Sequence, residues 1–442
     1  MRYAIIDIET TGGNYKTGKI TEIAVFIHNG HKVVNEYSSL VNPGIPVPPF
    51  ISRLTGINDK MLASAPSFEE IADEVDKLTA NCIFVAHNAH FDYGFIREEF
   101  RRVGIDYKRR KLCTVQLSRH AFPGLASYSL DRITSELSIE LNGHHRASSD
   151  AEATTRLFER IIAHHQNERG LFDAHFGMPT LDGLNSSYIN DTFLRSIPDE
   201  AGVARFYDAA DQLIYSKRSA NVLSSICEKL KQIQTKNDAE FRKSLHRIDY
   251  QLTGSQLLAQ LLEAHDVLSH KPHFNHKKFS TKAFCAADIH VEDGRSYLYL
   301  TKRGRCEDPL VVYSNFHEGK AHLEDLAEQW GQNLCELKLG RNSVAALMLP
   351  EGQNWEEGLS PSAGNFVVVD EGRYASERCH IFVESGAVVG YGYYDQDFQF
   401  SPDPLEDVQV RFKPFAELEL VLRKMMEKKR FESRIEFQRH LQ

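Results

Sequence analysis

Tyr3-Ala-Ile-Ile-Asp-Ile-Glu-Thr-Thr-Gly12 is the stretch from which the rest of the chain is read: an apolar run interrupted by two acids, Asp7 and Glu9. Along an extended strand, residues two apart leave the same face about 7 Å from each other, so both carboxylates project from one side of an otherwise apolar segment. Like charges so placed repel and lose hydration. A bound divalent cation removes that cost, and a solvated strand end avoids it. The pair alone leaves both readings open.

Outward from this stretch, three β-rich runs (Arg2 to Glu9, Lys19 to His28, Lys32 to Val41) are separated by Gly, Asn and Lys segments and predict an antiparallel meander. Phe68, Ile71, Val75 and Leu78 stand at helical spacing, and Cys82 to Ala86 reads as a buried strand. Sheet and helix alternate here, so this part is α/β. Further helical patterns run over Ala89 to Val103, Thr114 to Ala121, Leu130 to Leu137 and Ser149 to His164. The last opens with Ser149-Asp-Ala-Glu152, the spacing of a capping box, which puts Asp150 in the first turn.

Two further segments bear on the opening pair: Phe84-Val-Ala-His-Asn-Ala-His-Phe-Asp92 and His144-His-Arg-Ala-Ser-Ser-Asp150. With Asp7 and Glu9 they give four carboxylates and a histidine five residues before the last. Over about residues 1 to 165 the ordered set resembles the DnaQ-like 3'-to-5' exonuclease family of the DEDDh type, which includes the proofreading subunit of bacterial replicative polymerase.

The resemblance implies a ribonuclease H-like domain with a mixed sheet and two Mg²⁺ or Mn²⁺ ions. It implies that Asp7 bridges both ions, that Glu9 and Asp150 complete the one that activates water, and that Asp92 serves the other. His145 would be the general base, chosen over His144 because Arg-Ala follows it as in the family motif. Leu54-Thr-Gly-Ile57 resembles the segment that abuts the terminal nucleotide, and the implied substrate contacts are Thr10, Leu54, Thr55, His87 and Asn88.

The residue types suit that chemistry. Phosphodiester hydrolysis gathers charge on the phosphoryl oxygens and the leaving 3'-oxygen, which paired cations stabilise. Carboxylates are hard ligands for Mg²⁺ or Mn²⁺. An imidazole near its ordinary pKa can take a proton at neutral pH. Each residue also has a structural alternative: Asp150 favouring a helix N-terminus, Asp92 capping a helix, His145 simply hydrogen-bonded.

At 442 residues, with 42% hydrophobic and 26% charged, the chain predicts a soluble globular protein of roughly three domains. The net charge of -9 does not advertise nucleic-acid binding. Between Arg97 and Lys111, however, seven basic residues face three acids, which reads as a phosphate-facing surface or as a solvated helix end and loop. Seven scattered cysteines without a Cys-x-x-Cys pair argue against a disulfide framework and a zinc site. No signal-peptide pattern or bilayer-length apolar run is present, so the expected location is cytoplasmic, with no membrane partner.

The expected division is 1–167, an exonuclease domain; 168–196, a linker with little helix, marked by Gly170, Gly177, Pro179 and Gly183; 197–277, a small α+β domain; and 278–442, an α+β region of unknown role. Ile197-Pro-Asp-Glu-Ala-Gly-Val-Ala-Arg-Phe-Tyr-Asp-Ala-Ala-Asp-Gln-Leu-Ile-Tyr215, with Leu261-Leu-Glu263 and Lys271-Pro-His-Phe-Asn275, resembles a GIY-YIG nuclease domain of the UvrC and Cho type. By that resemblance Glu263 is the metal ligand, Tyr215 the second tyrosine and Asn275 the family asparagine, while Arg218 stands where Lys is usual. Ala204, Lys217 and Ser225 replace the family's Tyr, Gly and phosphate-stabilising Arg. Losing a positioned Arg removes transition-state stabilisation worth several kcal/mol in such sites. The implied module is degenerate and binds nucleic acid or a partner; the alternative is that Glu263 is a plain helix residue and the scaffold only packs.

Downstream, strands are expected at Ser296 to Thr301 and His380 to Glu384, and helices at Leu323 to Cys335 and Phe415 to Lys428. Asn333-Leu-Cys-Glu-Leu-Lys-Leu-Gly340 resembles a segment found in exonuclease and endonuclease fusions. Gly386-Ala-Val-Val-Gly-Tyr-Gly-Tyr-Tyr394 reads as a bent, half-buried strand or as exposed aromatics for base stacking. Together the readings predict hydrolysis of DNA from its 3' end, in repair or replication editing, with a polymerase or repair protein as partner. An RNA or oligoribonucleotide exonuclease, or a non-catalytic nucleic-acid-binding scaffold, is the alternative.

Overall fold

The computed structural model describes residues 2–140, 146–165, 168–182, 184, 186–275, 283–339, 342–350, 355, 359–362, 364–428 and 431–437. The chain forms two compact units, 1–180 with 226–231, and 181–225 with 232–442.

The first unit runs β1 (Arg2–Thr10), β2 (Ile20–His28), β3 (Val33–Leu40), α1 (Pro49–Thr55), α2 (Asp59–Leu62), α3 (Phe68–Thr79), β4 (Cys82–Ala86), α4 (Ala89–Arg102), β5 (Lys111–Cys113), α5 (Thr114–Ala121), α6 (Leu130–Glu136), α7 (Ala147–His165) and α8 (Glu168–Phe176). Its sheet has the order β3-β2-β1-β4-β5. The β1–β2–β3 meander is antiparallel, and β1–β4 and β4–β5 are parallel, which makes the sheet mixed as expected.

β1 lies at the centre of the sheet, and both of its faces are covered. Ala4, Ile6 and Ile8 pack with residues of α3 and α4. On the opposite face Tyr3 meets Phe158 of α7 edge to face at 4.9 Å. Alternation along the strand then puts Asp7 and Glu9 on the α7 face, at the end where β1, β4 and β5 finish.

Two local expectations are corrected here. First, α7 begins at Ala147 rather than Ser149, because its N-terminus is capped from another strand: the Ala147 N–H donates to Glu22 Oε2 at 2.9 Å. A capping box does occur at Ser67 and Glu70, where it starts α3. Second, the stretch expected to be a linker holds α8 and, in the second unit, α9 (Asp191–Ser196), whose N-cap Asn190 accepts from the Phe193 N–H. The Gly and Pro residues punctuate these helices instead of abolishing them.

The chain continues with β6 (Gly202–Tyr207), β7 (Leu213–Ser219), α10 (Val222–Lys231, of which 226–231 belong to the first unit), α11 (Lys236–Ser244), β8 (Arg247–Leu252), α12 (Gln256–His270), β9 (Cys285–Glu292), β10 (Arg295–Lys302), β11 (Val311–Tyr313), α13 (Phe316–Gln329), β12 (Cys335–Leu339), β13 (Asn342–Met348), β14 (Phe366–Glu371), β15 (Glu377–Glu384), β16 (Ala387–Asp395), β17 (Val410–Arg411), α14 (Ala416–Glu427) and β18 (Ser433–Glu436), the rest of them in the second unit. Its sheets are β7-β6-β8, β11-β9-β10-β13-β12 and β17-β16-β15-β14-β18. The helix expected over 323–335 starts earlier, at the Asn315 cap, and ends at Gly331, whose φ of 63° leaves the helical region.

The expected break at 277/278 does not separate two cores. Val203 and the α12 residues Leu257, Leu258, Leu261 and Leu262 share one apolar cluster with Phe366, Ile381, Leu418 and Leu422. The tyrosine–glycine tract is β16, packed rather than displayed. Tyr391 is buried and its hydroxyl takes Gln251 Nε2 at 2.7 Å, while Tyr393 donates to the Thr253 carbonyl at 3.2 Å. Glycine is required at 390 because a Cβ there would lie 2.1 Å from the Val410 carbonyl oxygen. All seven cysteines are free thiols, five of them buried. No helix among the described residues is long and apolar enough to cross a membrane.

Leu422→Ala removes a fully buried side chain from the shared cluster and is expected to cost about 2–5 kcal/mol. Hydrogen exchange should then show protection falling together in β6, α12 and β15. Loss confined to β15 would mean that the two segments unfold independently.

Candidate metal centre

Ligand oxygens of Asp7, Glu9 and Asp150 all lie within 4.8 Å of one another, the one such group of three or more potential metal ligands among the described residues. Two come from β1 and the third from the first turn of α7, the element that covers that face. Asp92 stands outside this group. It sits buried in the first turn of α4, beyond the end of β4, where its carboxylate accepts from its own and the Ile8 backbone N–H groups.

Electrostatics tie the four acids together. Burial, then the charges of Asp92, Asp150, Glu9 and Glu22, push the Asp7 carboxyl far above the carboxylate range. Burial and Glu9 raise Asp92 despite its two backbone hydrogen bonds. Glu9 is pushed up to about 7, by burial first and then by Asp150 and Glu22, against an opposing pull from Arg146. Acids in this state are poorly satisfied by the protein alone. Hard, mutually close carboxylate oxygens are the donor set of a divalent cation such as Mg²⁺ or Mn²⁺, so the residues fit the implied ions.

Glu22 is a part of the site that motif reading missed. It pairs with Glu9 across β1 and β2 and is buried. Arg146 reaches it through Nη2 at 2.6 Å and Nε at 3.0 Å, and the Ala147 N–H completes the clasp. This clasp holds the start of α7, and Asp150 with it, against the sheet. The signal was a lone acid in the apolar run Ile20-Thr-Glu-Ile-Ala-Val-Phe-Ile27. His145, which precedes Arg146, lies outside the described residues, as does His144.

Of the other expected contacts, Leu54 is 45% exposed on α1, on the same helix face as Phe50 at 62%. The Thr55 hydroxyl is buried between the Ile51 carbonyl and the Ile57 N–H. The Thr10 hydroxyl donates to the Gly12 carbonyl at 2.8 Å. His87 bonds Thr114 Oγ1 and the Tyr128 carbonyl, both at 2.9 Å, and burial lowers its pKa to about 4. These polar groups are spent on the fold. Asn88, exposed at φ 84°, makes the turn into α4.

The basic run does not form a free phosphate-facing surface. Arg101 pairs with Glu98, Arg102 with Glu99, Lys108 with Asp106 and Arg109 with Asp76. Arg110 lies over Phe172 and Lys111 over Tyr93.

In the second unit the nuclease-like residues are also committed. Glu263, 7% exposed, is 3.0 Å from Arg218 Nε and 3.7 Å from Lys217 Nζ. Asn275 is pinned to β7 by two hydrogen bonds with the Ser216 backbone, at 2.9 and 2.8 Å. Tyr215 packs edge to face against Phe206 and Phe241. Ala204 is fully buried.

Residues 4–158 match the family described as Exonuclease, so the first unit carries an exonuclease-type domain. "3'-5' exonuclease DinG" of Bacillus subtilis is 40% identical over 163 residues, 36% of this chain and 18% of that protein. The protein of the same name from Staphylococcus saprophyticus is 34% identical over 228 residues, 49% of this chain and 24% of that one. "DNA polymerase III PolC-type" of Caldanaerobacter subterraneus is 28% identical over 242 residues, 52% of this chain and 17% of that protein. The match therefore spans less than a quarter of each of these relatives. A solved structure of Exonuclease X in complex with 5' overhanging duplex DNA is 30% identical, covering 39% of this chain and 99% of that one, with a TM-score of 0.32.

The raised carboxyls give a signed pH dependence. Between the ordinary glutamate value of 4.5 and about 7 the folded chain holds a proton on Glu9 that the unfolded chain has released, so Glu9 contributes a loss of stability as pH rises through that window. In metal-free buffer, thermal unfolding from pH 5 to 8 should show a steeper decline for the native protein than for Glu9→Gln, and millimolar Mn²⁺ should remove the difference. Parallel pH profiles would contradict the assignment.

Proposed function

We propose that the exonuclease-type domain removes nucleotides one at a time from the 3' end of DNA, using two Mg²⁺ or Mn²⁺ ions. The observation that carries the reading is the convergence of the Asp7, Glu9 and Asp150 oxygens within 4.8 Å on one face of the sheet. Asp7, Glu9 and Asp150 would hold one ion, and Asp7 with Asp92 would hold the other. Divalent cations so held supply charge stabilisation to the phosphoryl and leaving oxygens and lower the pKa of water.

The chain's own residues do the rest. The His145 imidazole takes the proton of the attacking water, a role suited to histidine, whose ordinary pKa lies near neutrality. Glu22 and Arg146 act as positioning residues, because the clasp they form sets the start of α7 immediately after His145. Leu54 offers exposed apolar surface to the terminal nucleotide, and the exposed Asn88 at the turn into α4 is the second expected contact. The physiological setting is DNA repair or replication editing, with a polymerase or repair protein as partner. The named relatives support this setting, and the location is cytoplasmic.

The 197–277 segment is a degenerate GIY-YIG-like module that contributes binding rather than incision. Its would-be metal ligand Glu263 is neutralised by Arg218 and Lys217.

With 3'- and 5'-labelled DNA and RNA and Mg²⁺, laddering from the 3' end of DNA is expected, reduced about a thousandfold or more by Asp7→Ala. Preference for RNA would reassign the substrate, and retained binding without cleavage would leave a scaffold. On nicked and damaged duplexes with Mn²⁺, no internal incision is expected. Incision abolished by Glu263→Ala would overturn the degenerate reading.

A further inference from the structure

A cavity of about 920 Å³ opens in the second unit between the β6–β7 turn, α11 and the C-terminal end of α12. None of Tyr215, Arg218, Glu263 or Asn275 lines it, although Arg205 and Lys271 belong to the stretches on which the second resemblance rests. Its volume is in the range of small-molecule sites.

The group that gives the cavity its chemistry is Arg205, whose side chain is only 15% exposed. Nε donates to Asp266 Oδ2 at 2.6 Å and Nη1 to Gln251 Oε1 at 3.1 Å. Among the described residues no acceptor meets Nη2. A guanidinium carries five N–H donors in a planar fork, so part of this fork faces the cavity with its hydrogen-bonding capacity unspent. Asp266, which also lines the cavity, pairs with this guanidinium through Oδ2, and the same oxygen accepts from Ser216 Oγ at 2.8 Å.

Beside Arg205 the lining offers one further fixed cation, among four carboxylates (Asp208, Asp211, Glu240 and Asp266). Lys271, flanked by His270 and His273, follows α12 with a left-handed φ of 48°, and no carboxylate stands within ion-pair distance of it among the described residues. Cations at a helix C-terminus are favourable for the helix itself, so Lys271 alone would say little. Its coincidence with a half-used, mostly buried guanidinium in one cavity is the informative fact.

The acids of the cavity are largely engaged. Asp211 pairs with Arg247 at 2.6 Å, and Asp208 Oδ1 accepts from the Ala210 and Gln212 N–H groups. Glu240 on α11 has no partner among the described residues and adds an acceptor to the lining. A bare anion would use only the basic side. A molecule with a phosphate at one end and hydroxyl or amino donors at the other would use both.

We propose that this cavity binds a phosphate monoester of nucleotide size, with the phosphate on Arg205 and Lys271 and the donor groups toward Glu240. Guanidinium and ammonium groups are the usual protein partners of phosphate, and such charge-assisted bonds are roughly twice as strong as neutral ones. The choice of a nucleotide rests on the proposed exonuclease reading, whose product would be a nucleoside monophosphate. The binding itself does not depend on that activity.

The test is equilibrium titration of the full chain with dAMP in EDTA, which silences the metal centre, alongside adenosine, inorganic phosphate and a 5'-phosphorylated oligonucleotide. Saturable dAMP binding is expected, unchanged by Asp7→Asn and weakened about tenfold by Lys271→Asn, a substitution that removes the charge while tolerating the left-handed backbone. Arg205→Lys, checked by thermal unfolding, should weaken it as well. Competition by the oligonucleotide would identify a strand end as the source of the phosphate, and its failure to compete would identify the free nucleotide. No dAMP binding, equal binding of adenosine, or indifference to both substitutions would overturn the proposal. That result, with 3'-end laddering intact, would leave the exonuclease reading standing.

Discussion

Carboxylates that repel one another are held together at the end of β1, and the first unit is arranged so that they cannot move apart. Asp7 and Glu9 are carried by a strand whose other side chains are buried on both faces, which leaves that strand no freedom to relax. Asp150 arrives on a helix whose first turn is tied to Glu22 through Arg146 and the Ala147 N–H. Tyr3 and Phe158 lock the same helix further along the strand. The raised pKa values of Asp7, Glu9 and Asp92 are the electrostatic signature of that confinement. A site that stores repulsion in the absence of cation binds cation more readily, because the ion relieves a cost the fold has already met.

The second unit shows the opposite solution to a buried acid. Glu263 is more buried than Asp7, Glu9 or Asp150, and burial raises its carboxyl too, but Arg218 and Lys217 oppose that rise, and Asn275 is turned to the backbone of β7. Cations from the protein take the place that a metal would need, so the arrangement favours packing over metal chemistry. Basic residues tell the same story in the first unit. A run that looks phosphate-facing in one dimension is consumed by Glu98, Glu99, Asp106 and Asp76 and by aromatic faces once the chain is folded.

Much of the first unit was legible before any coordinates. The strands 2–10, 20–28 and 82–86 and the helices 68–79 and 114–121 follow from alternation and from 3.6-residue spacing, because which face a side chain takes is a local property of the backbone. The shared face of Asp7 and Glu9 was readable for the same reason, whereas the addition of Asp150 was implied by the family resemblance. Less legible were the helices α8 and α9 within the supposed linker, the early start of α13 and the core that joins α12 to β14, β15 and α14. In each of these the deciding partner is distant in sequence or is a cap rather than a periodic pattern.

By itself the sequence determined the order of strands and helices in the first unit and the identity of the acids that meet there, because periodicity and residue chemistry are written locally. Only the tertiary structure decided that Glu22 caps α7, that His87 and Thr55 are tied up inside the fold, that Glu263 is neutralised and that Arg205 faces a cavity with part of its fork unspent. Those outcomes depend on which polar group finds which partner after the chain has closed. Hydrogen bonds and ion pairs between residues tens of positions apart leave no trace in spacing.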